Sequence, residues 1–187
     1  GTTVLNGGSV ETSGEQTYND AVTLGADTTL SGSALRFSST VDGGQALTLN
    51  SSGATTFEDA VGGTTALTRL TTDADGTTVL NGGSVETSGE QTYNDAVTLG
   101  ADTTLSGSAL RFNSTVDGGQ ALTLNSSGAT TFEDAVGGTT ALTRLTTDAD
   151  GTTVLNGGSV ETSGEQTYND AVTLGADTTL SGSALRF

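Results

Sequence analysis

The chain contains no cysteine, histidine, proline, methionine, tryptophan, isoleucine or lysine. Without cysteine there is no disulfide framework, and thiols say nothing about the redox compartment. Without His, Cys and Lys, the usual pairings of a nucleophile or general base with an orienting partner cannot be assembled, so the expectation is a chain that is not an enzyme. The five bases, all arginine (Arg36, Arg69, Arg111, Arg144 and Arg186), face 22 acids, for a net charge of −17. Such a surface repels phosphate backbones and anionic lipid, which excludes nucleic acid as a partner. No apolar run approaches the ~18–20 residues needed to cross a bilayer, so membrane insertion is not expected. Neither a signal peptide nor an initiator methionine opens the 187 residues.

What is present is repetition. Residues 1–75 return as 76–150 and begin a third time over 151–187, and laying 1–112 over 76–187 leaves one difference, Ser38 against Asn113. An internal period of this kind outranks length as a guide to architecture. The expected organisation is repeat 1 (1–75), repeat 2 (76–150) and a partial repeat 3 (151–187) in one continuous structure without linkers. Because the chain opens and closes inside a repeat, it reads as a segment of something longer.

Glycine, serine and threonine are abundant, a composition shared with disordered chains. Each repeat nevertheless carries 16 Val, Leu, Phe and Tyr residues, set in a two-residue alternation. Ala34-Leu35-Arg36-Phe37, Ala46-Leu47-Thr48-Leu49 and Ala21-Val22-Thr23-Leu24 each turn apolar side chains to one side only, as strands do. Clusters such as Asn6-Gly7-Gly8, Asp42-Gly43-Gly44 and Asp73-Ala74-Asp75-Gly76 separate them as turns. The fold class is all-β.

A finer spacing divides the unit. An aromatic is followed four residues later by valine at Tyr18/Val22, Phe37/Val41 and Phe57/Val61, in steps of 19 and 20 residues, and the next pair, Tyr93/Val97, comes 36 later, close to two steps of 18. About four coils of 18–20 residues per repeat follow, which suits a parallel β-solenoid with three short strands per coil stacked at ~4.8 Å. Its core stack is expected to be Tyr18, Val22, Leu35, Phe37, Val41, Leu47, Leu49, Phe57 and Val61, with Tyr93, Phe112, Phe132, Tyr168 and Phe187 among the copies. The rival is a string of small β-sandwich domains, favoured locally by Asn6-Gly7 as a hairpin turn between Thr2–Leu5 and Ser9–Thr12. A hairpin bulging from the solenoid would reconcile the two signals.

The runs Asn6-Gly7-Gly8-Ser9-Val10-Glu11-Thr12, Gln16-Thr17-Tyr18-Asn19-Asp20-Ala21-Val22-Thr23-Leu24 and Thr55-Thr56-Phe57-Glu58-Asp59-Ala60-Val61-Gly62-Gly63-Thr64 resemble filamentous-haemagglutinin-type repeats of large secreted bacterial surface proteins. The resemblance implies a right-handed parallel β-helix, a secreted or cell-surface location, and a fibre-forming or adhesive role. The expected function is a structural stalk segment whose repeats set length and stiffness. Its partners would be copies of itself or its own continuation end to end. The alternative is a repeated surface that grips host or cell-surface glycans or receptors.

Three chemical features remain. The carboxylate pairs Glu58-Asp59 and Glu11 with Glu15 have the residue types of a glycosidase, but a catalytic pair copied in every repeat is unlike an enzyme site, and solvated surface acids are the expectation. Asp73-Ala74-Asp75-Gly76 resembles the start of a calcium loop, yet Thr77 stands where a third acid would be needed. No cofactor is therefore expected, with calcium the minor alternative. Threonine richness suggests an ice-binding face, but no Thr-x-Thr triplet occurs, and strand propensity explains the threonines better.

Overall fold

The computed structural model describes residues 1–187 and contains only strands and turns. Every strand pairing is parallel, and every strand pairs with strands about one coil away in sequence rather than with its neighbour in the chain. Val22 pairs with Val41, and Val41 bridges to Val61. The chain is thus a β-solenoid of about ten coils.

Each coil has three faces. Face 1 begins with Thr2–Leu5 and Ala21–Leu24, face 2 with Ser9–Glu11 and Thr28–Gly32, and face 3 with Glu15–Tyr18 and Ala34–Phe37. Alternation follows from the pleat: in Ala34–Phe37, Leu35 and Phe37 are buried while Arg36 is exposed. Side chains that point inward from the three faces fill one narrow core that runs through the whole chain. Burial of each such Leu, Val or Phe is worth about 1.5–3 kcal/mol.

The corners are made by the expected turns, but not as a hairpin. Thr2–Leu5 and Ser9–Glu11 lie in different sheets, so Asn6-Gly7-Gly8 turns the chain from face 1 to face 2, with Gly8 at φ 78°. The turn's freed carbonyl is used by the next coil, where Thr29 N–H donates to Gly8 O at 2.9 Å. A solenoid therefore replaces local antiparallel pairing with stacking, which satisfies the corner as well as the strands.

One coil per repeat is longer than the others. Val61 bridges Val85 while Leu67 bridges Thr87, so residues 62–66 bulge outward opposite a single residue, Glu86. Gly62 starts the bulge at φ 73°. Asp42, one coil earlier, holds it: its Oδ1 accepts from Thr64 N–H at 2.8 Å and Thr65 N–H at 3.0 Å. Coils that avoid this bulge advance 19 to 21 residues between partners, as in Val22↔Val41, Val41↔Val61 and Leu70↔Gln91, whereas Val61↔Val85 spans 24.

The number of coils in one repeat follows from its strand positions. The first 75 residues hold ten strands and the Val61 bridge, which makes eleven strand positions on a three-sided coil. One repeat is thus three and two-thirds coils, just under the expected four. Thr2–Leu5 lies on face 1, but its copy Thr77–Leu80 pairs with Ala54–Phe57 on face 3, and Thr152–Leu155 pairs with Ala129–Phe132 on face 2. Stacking runs unbroken across both repeat boundaries. Residues 1–75, 76–150 and 151–187 are segments of one solenoid.

Candidate functional site

The expected core residues Val22, Leu35, Phe37, Val41, Leu47, Leu49, Phe57, Val61, Tyr93, Phe112, Phe132 and Tyr168 are all buried. Tyr18 is half-buried in the first coil. Phe187 stacks on Tyr168 with ring centroids 5.4 Å apart but remains 76% exposed, since no coil covers it. Within a copy the aromatics form one column: Tyr18 on Phe37 at 5.2 Å and Phe37 on Phe57 at 5.0 Å, with rings nearly parallel. The column does not continue into the next copy. Leu80 pairs with Phe57 and Leu99 with Leu80 on face 3, while Tyr93, Phe112 and Phe132 build their own stack on face 2. The 36-residue gap to Tyr93 is therefore not two further steps of the same column.

Sequence reasoning missed the polar groups that share the core. Gln91 is fully buried, donates to Val85 O at 3.1 Å and Ser106 O at 2.8 Å, and accepts from the Tyr93 hydroxyl at 2.9 Å. The signal was present in Gln-Thr-Tyr, where alternation puts Gln on the same inward side as Tyr. No buried side-chain nitrogen or oxygen lacks a partner, as a dry polar interior requires.

The most unusual group is Asp95, at the corner between Tyr93 on face 2 and Val97 on face 3. It is 4% exposed. Its carboxylate accepts from the Thr72 hydroxyl at 2.6 Å and from the Thr78 hydroxyl at 2.8 and 3.0 Å. Burial pushes its pKa above the ordinary carboxylate value, the two threonines pull it partly back, and the Asp73 charge beneath raises it further. Burial, helped by Asp95, also pushes the Tyr93 hydroxyl up. Asp170 repeats the arrangement with Thr147 and Thr153.

The acids singled out by sequence are spread over the surface. Glu58 pairs with Arg36 at 2.7 Å and accepts from Asn81 Nδ2 at 2.7 Å. Asp59 accepts from the Ala60 N–H at 2.8 Å. Glu11 and Glu15 are exposed. Asp73 accepts from Ser51 N–H at 3.1 Å, and Gly76 takes a φ of 73° where a Cβ would run into Gly53 O. Nowhere do three acids gather in a way that could hold a metal ion, and no pocket indents the surface.

Outward threonines instead form columns along the axis. On face 2, Thr29, Thr48, Thr71 and Thr92 lie in register on successive coils. Beside them run polar ladders: Asn50 Nδ2 donates to Ser31 Oγ at 3.3 Å, and Asn113 Nδ2 to Asn94 Oδ1 at 2.5 Å. These are single columns, not the paired rows that a Thr-x-Thr strand would give.

No protein-family model matches the chain, and neither does any curated protein or solved structure.

Proposed function

We propose that this chain is a structural, non-catalytic segment of a secreted fibre or adhesin stalk on a bacterial surface, in which the number of repeats sets length and the stacked coils set stiffness. The observation that carries this reading is the unbroken stacking across repeat boundaries: Thr77–Leu80 of the second copy sits on Ala54–Phe57 of the first in the same parallel register that joins coils within a copy. Contacts in such a rod are nearest-neighbour, so a repeat adds length and stability without redesign. The acidic surface supports solubility for an elongated molecule.

The test is to vary repeat number in the surface-displayed chain and to measure how far an epitope placed beyond the repeats stands from the cell envelope. The distance is expected to grow by ~18 Å per added repeat, at ~4.8 Å per coil. An epitope that is found only inside the cell, or whose distance ignores repeat number, sinks the proposal.

A second reading, a repeated glycan-gripping surface, has the outward threonine columns and the exposed Arg69 and Arg144 in its favour. Glycan-array binding that rises with repeat number would establish it. Loss of all glycan signal at any repeat number would leave the stalk alone.

A further inference from the structure

Eleven strand positions do not divide evenly by three faces. Each repeat therefore ends one face short of closure, and every feature of the next copy is rotated by a third of a turn. The aromatic column moves from face 3 (Tyr18, Phe37, Phe57) to face 2 (Tyr93, Phe112, Phe132) and then to face 1 (Tyr168, Phe187). The outward bulge moves likewise, from residues 62–66 beside face 1 to residues 137–141 beside face 3, where Val136 bridges Val116 and Val160.

This matters because the repeat is not uniform around its girth. One side of one coil carries four extra residues, and one side of the core holds three stacked rings where the others hold Leu, Val or Thr. If a repeat closed on a whole number of coils, each irregularity would recur on the same side. Small tilts would then add in one direction, and a long rod would curve. A third-of-a-turn offset sends successive tilts to three directions, and they cancel after three repeats, or eleven coils, ~53 Å along the axis.

We propose that the one-third-coil offset is what keeps this rod straight and without a preferred side, so that its interaction surface is a three-fold screw. Any feature present once per repeat faces three directions in turn, ~18 Å apart along the axis. The surface fits discrete partners gathered around the rod. A flat partner, or a second copy of the chain laid alongside, meets the same feature only at every third repeat. This rests on the stalk reading, and the experiment separates the two.

The chain has no native cysteine, so paired spin labels can be placed cleanly. Thr65→Cys with Thr140→Cys marks the exposed bulge in two copies. Thr48→Cys with Thr131→Cys marks one face, four coils apart, on strands Ala46–Ser51 and Ala129–Phe132. Axial separations are similar, ~18 and ~19 Å, so the bulge pair is expected to be distinctly farther apart, because it spans two faces. Equal distances would mean that the copies are in phase, and would overturn the proposal while leaving a rod intact. Micrographs of an array of six repeats supply the second readout. Straight particles near ~106 Å long are expected, and arcs of constant sense would overturn the offset's role. Beads in place of a rod would overturn the stalk reading itself.

Discussion

The first and second copies are 75-residue segments that differ only at Ser38 and Asn113, yet identical residues live different lives in them. Tyr18 is half-buried while Tyr93 is wholly buried, and Val10 is half-buried where Val85 is buried. The partial third copy shows the other end of the same effect: Leu174 is 58% exposed where its equivalents Leu24 and Leu99 are buried. Asp20 reaches the N-terminal amine and is half exposed, whereas Asp95 is sealed between Thr72 of the preceding copy and Thr78. Composition and local pattern are constant across these pairs. What differs is whether a coil lies below and above. In a solenoid a residue's burial belongs to its neighbours along the axis, not to its own strand.

The largest break in this comparison should come from the ring column. Phe112→Ala removes the middle ring between Tyr93 and Phe132 and is expected to cost about 3–5 kcal/mol. The same substitution at the exposed Phe187 should cost under ~1 kcal/mol. Urea unfolding of the two variants measures both, and equal costs would show that position in the stack does not matter.

Next in size is the corner glycine. Gly76→Ala forces a side chain into a positive-φ site against the Gly53 carbonyl, with an expected loss of about 1–3 kcal/mol. Gly1, its counterpart without a coil beneath, should tolerate alanine within ~0.5 kcal/mol.

The buried acid gives a comparison in pH. Because burial raises the folded-state pKa of Asp95 above its ordinary 3.8, the folded chain holds that proton more tightly than the unfolded one. Its contribution to stability is therefore complete below 3.8 and is lost as pH rises through the folded value. Thermal melts between neutral pH and pH 4 should show Asp95→Asn gaining stability at neutrality and losing part of the acid-side rise. Asp20→Asn should gain nothing at neutrality. A wild-type pH profile unchanged by Asp95→Asn would refute the assignment.

The smallest effect belongs to the one natural difference. Asn113 accepts from Arg111 Nε at 2.7 Å while donating to Asn94, and Arg111 also pairs with Glu133 at 2.6 Å. Ser38 makes only a 3.3 Å contact to Asn19. Ser38→Asn should stabilise the first copy by about 0.5 kcal/mol, the scale of an exposed polar network, visible as a small rise in the urea midpoint.

The architecture was legible because its signals are local and repeated: alternation in Ala34–Phe37 declares a strand, and the 19- and 20-residue steps from Tyr18 to Phe37 to Phe57 declare a coil. Less legible was anything that depends on the sum of coil lengths. The bulge at residues 62–66 looks like any glycine-threonine turn, yet it lengthens one coil, and the third-of-a-turn rotation of each later copy follows only from adding up eleven strand positions over three faces. For the same reason Tyr93 reads as the next member of a column to which it does not belong. Asp95 was hidden too, since its sequence, Asn94-Asp95, is that of a surface turn. Only stacking puts two threonine hydroxyls over its carboxylate. Asn6-Gly7 misled in the opposite direction, since the same dipeptide suits a hairpin and a solenoid corner.

The length that each repeat adds separates a continuous rod from a string of domains most directly. Electron micrographs of arrays differing by whole repeats should show the particle lengthening by ~18 Å for every 75 residues, with a ~4.8 Å spacing along the long axis. Beads of about 28 Å each, the diameter expected for a separately folded 75-residue domain, would contradict it.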